Sequence, residues 1–379
     1  MSSLSPHSEP VPSDQGRILF LGKRFFTNKD ALLERFGRVY QLPSIWAAQG
    51  CRTLLWLVDY HTKEPAREQS GQLRIVSTPI FSFSMVKALA AVCRLRPNVI
   101  VASGDSYIGL AGWVLARISG ALFVFDIYDK YDEFAGYRKL FGFDLFAFLR
   151  KRADLKFFCS RALNDFYARE KGSARSVIVA NGVDSAMFAP RDKLECRELL
   201  ALEPAAVLVG YFGSMEPDRG VSDLLGAMEL LRIRGDAVRL LICGKANPSM
   251  PLDRDWIIFR GMVPHADMPF YLNASDLVVI PYRESPIMDM GASCKIAEYL
   301  MCGRPMVSTS TANFFGNFPL QASELGPGIC APADIPALAQ AIKRQLTEQR
   351  ILTVPTDLTW DHIADAALAA IRAELGRPA

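Results

Sequence analysis

The chain alternates short apolar runs with helix-length segments almost from end to end, and near residue 207 the alternation starts again. That order demands parallel sheets, because successive parallel strands must be joined by a crossover, usually a helix. Arg17–Leu21, Thr53–Val58, Leu73–Ser77, Asn98–Ala102, Leu122–Ile127, Leu155–Cys159 and Val177–Ala180 read as strands of a first sheet. The helices between them are expected at about 31–48, from Ser84 to Pro97, and at 107–118, 140–153 and 164–170. Val207–Tyr211, Arg239–Cys243, Trp256–Phe259 and Leu277–Ile280 open a second sheet. Ser222 is the expected N-cap of a helix to about Arg234, and another helix is expected around 268–273. At 379 residues the chain is too long for one core. Two α/β halves of this kind predict two Rossmann-like parallel-sheet domains with a cleft between them, binding ligands at the carboxyl ends of their strands. The expected divisions are a disordered leader over 1–15, a first domain over 16–188, a second over 189–350, and a closing segment over 351–379.

Composition narrows the partners. A net charge of +3 argues against a general nucleic-acid binder. The eight cysteines are scattered without a C-x-x-C pair, which suits a reducing cytoplasm and not a disulfide or zinc framework. No apolar run approaches the roughly 20 residues of a spanning helix. A cytoplasmic protein is expected, with at most peripheral contact with an anionic membrane. Tyr137–Arg152 (YRKLFGFDLFAFLRKR) mixes aromatic and basic residues in the manner of an interfacial helix, or else of a core helix with solvated cations.

The densest chemical signal runs from Asp276 to Thr309. A buried strand ends at Pro281, a loop containing Gly291 and Ala292 follows, and a short helix is expected from about Ser293 to Gly303. Such a loop presents backbone N–H groups at a helix N-terminus, where the macrodipole favours an anion. Lys295 lies in the first turn and Glu298 three residues on, on the same face. A cation beside free amides suits a phosphate, and a carboxylate one turn deeper suits ribose hydroxyls. The plainer reading is an exposed Lys295–Glu298 ion pair, of about 0.3–0.5 kcal/mol.

Lys295, Glu298, Tyr299, Gly303 and Pro305 match the segment K-x-x-E-Y-x-x-x-G-x-P, which resembles the donor site of retaining GT-B glycosyltransferases of family 4. Three further stretches resemble the same family in the same order. Val177–Phe188 is similar to its asparagine–glycine–valine–aspartate stretch, and Gly210–Met228 to its first carboxy-domain strand and phosphate loop. Phe259–Pro281, with Met262 and Val263, is similar to its nucleobase loop. The resemblance implies a GT-B architecture and sugar transfer from a nucleotide-diphosphate sugar to a glycan or lipid-linked acceptor, with retention of configuration and without a metal or other cofactor. It also implies that a closing helix, here from about Asp361 to Leu375 and preceded by Trp360, crosses back onto the first domain.

Departures from the family pattern are specific. Ser214 stands where an arginine is usual, so Arg219 and Lys295 are left to hold the diphosphate. Met290 replaces a glutamate eight residues before Glu298. Tyr128 occupies a histidine position at the end of the Phe123–Ile127 strand, making Asp129 the first candidate for the reacting centre and Asp126 the second. Lys29, in the first strand-to-helix loop, and Asp105 are candidates on the acceptor side. These departures keep two rivals open: a sugar-nucleotide epimerase on the same architecture, and a catalytically silent sugar-nucleotide binder.

Overall fold

The computed structural model describes residues 16–26, 29–62, 64–133, 142–168 and 175–377. The expected leader lies outside them. The first part of the chain supplies β1 (Arg17–Lys23), a small hairpin of β2 (Phe25–Phe26) and β3 (Lys29–Asp30), and α1 (Arg38–Ala48). It continues through β4 (Arg52–Asp59), β5 (Ala66–Ser70), β6 (Leu73–Pro79) and α2 (Ser84–Leu95). Next come β7 (Val99–Ser103), α3 (Ser106–Ser119) and β8 (Leu122–Ile127). α4 (Leu145–Arg152), β9 (Leu155–Phe158), α5 (Arg161–Ala168) and β10 (Arg175–Ile178) complete it. Eight of these strands form one sheet, in the order β10-β9-β8-β7-β1-β4-β6-β5. β1, β4, β6, β7 and β8 pair in parallel, and β5 pairs antiparallel on the β6 edge. The central strands are buried on both faces, which is why they read as unbroken apolar runs.

The second part begins with α6 (Lys193–Leu199), β11 (Val207–Phe212), α7 (Val221–Ile233), β12 (Val238–Cys243) and β13 (Ile257–Phe259). It continues with α8 (Met268–Ala274), β14 (Leu277–Ile280), α9 (Pro286–Met290), α10 (Cys294–Met301) and β15 (Met306–Thr309). α11 (Ala312–Asn317), α12 (Pro319–Leu325), β16 (Ile329–Cys330), α13 (Ile335–Glu348) and α14 (Trp360–Leu375) follow. Its six strands form a wholly parallel sheet, β13-β12-β11-β14-β15-β16, with an apolar cluster on each face. By contact density one compact unit is Met1–Asp126 with Lys139–Lys156 and Leu368–Ala379. The other is Ile127–Arg138 with Phe157–Ala367.

Two local expectations are corrected. The first helix starts at Arg38, not near Ala31, because the Asp30 carboxylate accepts the N–H groups of Leu32 and Leu33 and is held by Arg24, fixing a turn there. Gly220 in the left-handed region, not Ser222, precedes α7. Within Tyr137–Arg152, residues 137–141 lie outside the described residues, and Phe146, Leu149 and Arg150 on α4 are buried. Phe148 packs edge-on against Trp113. In the same stretch Phe143, Lys151 and Arg152 are exposed.

Candidate functional site

The loops at the carboxyl ends of β11 and β14 carry the chemistry, all within the second compact unit. The β11–α7 loop turns at Gly213, whose N–H donates to the Cys243 carbonyl at 2.8 Å. A Cβ there would lie 2.3 Å from Lys295 Nζ, so the ammonium of the α10 lysine rests directly against the loop backbone. At the end of the loop, Gly220 (φ +65°) holds the site where a Cβ would lie 1.7 Å from the Pro281 carbonyl oxygen. The two loops thus touch through backbone that no side chain can separate.

That close approach has a measurable consequence. Gly220→Ala is expected to destabilise the protein by about 3 kcal/mol or more. Gly235 also has positive φ (+91°) but meets nothing within 4 Å. Gly235→Ala should cost only about 1 kcal/mol. Denaturant midpoints of the two variants compare them, and equal shifts would mean that Gly220 matters only for its backbone angle.

The β14–α10 loop is anchored from the side opposite its amides. Asn181 Nδ2 donates to the Ala292 carbonyl at 3.0 Å, Asn313 and Asn317 both donate to that of Gly291 at 3.0 Å, and Ser160 Oγ donates to that of Met290 at 2.5 Å. In a planar trans peptide the following N–H points the other way. Among the described residues, the N–H groups of Ala292 and Ser293 have no protein acceptor. They cluster at the N-terminus of α10 beside Lys295, an arrangement that attracts an anion. Ser293 does not cap the helix through its side chain; its hydroxyl instead meets that of Tyr282 at 3.1 Å.

Lys295 and Glu298 do not pair with each other. Glu298 is buried and its Oε1 lies 3.0 Å from His265 Nε2. His265 follows the exposed Met262 and half-buried Val263 in the β13–α8 loop, so this contact ties that loop to α10. Its ring also packs against Phe188 with centroids 5.2 Å apart. The exposed helical ion pair of the plainer reading is absent.

Arg219 lies over the Tyr282 ring at 5.3 Å, and its buried Nε has no hydrogen-bond partner. Glu216, which the sequence reading passed over, shares the loop with it. Burial opposes its ionisation, but the Ser214 hydroxyl, its own backbone amide, Arg219 and Lys295 outweigh this and hold its carboxyl below the usual glutamate range. Ser214 therefore interacts with Glu216 through its hydroxyl, while its carbonyl accepts the Tyr211 hydroxyl at 2.6 Å. Asp289, beside Met290, has a buried Oδ1 without a hydrogen-bond partner, and burial with nearby Glu284 pushes its carboxyl up. The only sequence signal for His265 was scarcity, since the chain has four histidines and this one falls in the loop.

Asp129 is half-buried in the same unit. Burial pushes its carboxyl above the usual aspartate range, against the opposing effects of the Lys130 N–H, donated at 2.8 Å, and of the Arg219 charge. Asp126, the second candidate, is corrected: it is fully enclosed, with Arg38 Nη2 at 2.6 Å and Ser103 Oγ at 2.5 Å, and offers no surface to a substrate. In the first unit, Lys29 Nζ stands 3.8 Å from the centroid of the Phe36 ring. Asp105 caps α3 through the N–H groups of Tyr107 and Ile108 and pairs with Lys23 at 2.7 Å. No group of three or more metal-ligating side chains occurs among the described residues.

With this geometry in place, comparison with known proteins is specific. The family model for group 1 glycosyl transferases matches residues 206–348. That segment holds β11 through α13 and the β11–α7, β13–α8 and β14–α10 loops. The chain is 28% identical over 235 residues to a D-inositol 3-phosphate glycosyltransferase of Segniliparus rotundus, covering 56% of this chain and 50% of that one. It spans about half the length of the curated relatives it matches. Among solved structures it resembles sucrose-phosphate synthase from Thermosynechococcus elongatus, with TM-score 0.64, 18% identity and 94% of each chain covered. It also resembles Anabaena HepE in complex with UDP and glucose, with TM-score 0.62 and 17% identity over 95% of this chain and 98% of that one. The fold is GT-B, two Rossmann-like parallel sheets.

Proposed function

We propose that the protein is a family 4 glycosyltransferase that moves a sugar from a nucleotide-diphosphate sugar to a glycan or lipid-linked acceptor, with retention of configuration. The observation that carries this reading is the anion site: Lys295 against Gly213, the outward amides of Ala292 and Ser293, and Arg219 across the loop. Lys295 and Arg219 neutralise the diphosphate in place of a metal ion. Glu298, oriented by His265, receives the ribose hydroxyls, and Met262 and Val263 border the base. Ser214 and Glu216 share the diphosphate loop with these cations, so a bound diphosphate competes with the Glu216 carboxylate for them. Asp129 orients the acceptor hydroxyl while the leaving phosphate takes its proton. Lys29 and Asp105 are the charged groups assigned to the acceptor side. The similarity to a protein solved with UDP and glucose supports a nucleotide sugar as donor.

The experiment is a mass-spectrometric screen of nucleotide sugars with the full chain. One donor is expected to bind and to hydrolyse slowly to nucleoside diphosphate and free sugar when no acceptor is added. A sugar altered while still attached to its nucleotide would make the protein an epimerase. Binding without turnover in any acceptor screen would make it a silent binder.

A further inference from the structure

We propose that the outer face of α2 and α3, led by the aromatic turn before α2, docks on an anionic lipid surface. From β6 to β7 and from β7 to β8 the chain steps in one direction along the sheet. Right-handed crossovers therefore put both helices on the same side of it. α2 packs on β4 and β6 and α3 on β7 and β1, strands that are neighbours. Their exposed residues include the apolar Val86 and Leu89 on α2 and Val114 and Ile118 on α3. Ahead of α2 stand Phe81 and Phe83, 97% and 92% exposed.

Phe81 has φ +57°. A bulky aromatic in the left-handed region is an outlier, and here no burial compensates for it. Its ring faces solvent, so the fold itself gains nothing evident from it. The charge pattern selects the partner. From Ile80 to Phe125 the sequence holds one carboxylate, Asp105, which caps α3 and pairs with Lys23. The same stretch carries Lys87, Arg94, Arg96 and Arg117, all exposed, and none forms an ion pair with a described carboxylate. Exposed aromatics ringed by unpaired cations with no acid among them match the interfacial region of an anionic bilayer. The aromatic turn follows the carboxyl end of β6, the edge where ligands of such sheets bind. If the reading above holds, lipid contact there also delivers a lipid-borne acceptor; the docking itself does not depend on that reading.

The test is sedimentation of the full chain with vesicles of phosphatidylcholine alone and with about 30 mol % phosphatidylglycerol, free of any acceptor lipid. Binding is expected to the anionic vesicles only, and to weaken as salt screens the cations. Phe81→Ser with Phe83→Ser should weaken binding by about tenfold or more, and Lys87→Gln or Arg94→Gln by about fivefold each. Phe81→Gly should lose binding while its melting temperature stays level or rises, since glycine accepts the backbone angle. Absence of binding by the wild-type chain at low salt overturns the proposal, as does unchanged binding by the double serine variant. A concentration-dependent dimer that the same variant dissolves also overturns it, and makes the face a contact between copies.

Discussion

Asp129→Asn is expected to lower turnover by about 10²–10⁴, the usual cost of removing a placed acid or base group, while donor affinity stays within a few-fold of wild type. The residue follows β8, where a histidine is usual in the family the chain resembles, and its carboxyl feels the Arg219 charge. Burial raises that carboxyl above its ordinary range, and the sign of the consequences can be worked out. An aspartate raised in the folded state adds stability below its unfolded value and loses it as pH climbs through the folded value. At neutral pH the ionised side chain therefore works against folding. Asp129→Asn should leave stability at pH 7 level or higher while activity collapses, the opposite of what loss of a turn cap would do. The acidic limb of the wild-type rate profile should lie above the ordinary aspartate range and vanish in the variant. Turnover, donor Kd and melting temperature, each measured on the folded variant, decide the matter. A rate within a few-fold of wild type would remove Asp129 from the reacting centre, and the enclosed Asp126 could not inherit the role.

Lys295→Ala and Glu298→Ala are expected to weaken donor binding by about tenfold or more each, as loss of a charge-assisted hydrogen bond does. They should differ in which ligands they affect. Lys295 stands at the amide cluster, so its loss should harm nucleotide sugar and nucleoside diphosphate alike and spare the nucleoside. Glu298 sits one turn deeper against His265, so its loss should weaken all three ligands, which share the ribose. Calorimetry with the three ligands separates these patterns. Glu216 sharpens the first: with Lys295 gone, its carboxylate faces a loop short of one cation, and added phosphate meets more repulsion. Unchanged affinity for every ligand in both variants would dismiss the anion site.

Much of the architecture is local and was therefore legible. A run such as Leu277–Ile280 is apolar because both faces of its sheet are covered, and the covering changes neither its length nor its place. Lys295 and Glu298 fall together on α10 for the same reason, since helical spacing alone puts them on one face. β5 escaped notice because it is an antiparallel edge strand of polar residues, Ala66–Ser70, whose pairing depends on β6 and not on its own pattern. α9 was hidden in what reads as loop, five residues too short to show a period.

What a side chain meets across the chain was decided only by tertiary structure. Asp126 and Asp129 look alike in sequence, three residues apart, yet Arg38, 88 residues earlier, encloses one of them. Glu298 was expected at a ribose, and its partner His265 comes from another loop 33 residues away. The aromatic and basic letters of 145–152 and of 81–96 are much the same, and only packing puts Phe146 in the core and Phe81 in solvent. The sequence alone determined the order of strands and helices, because backbone hydrogen bonding and side-chain period are set by near neighbours. Tertiary structure decided burial, ion-pair partners and exposed faces, because these depend on which distant segments the folding sheets bring together.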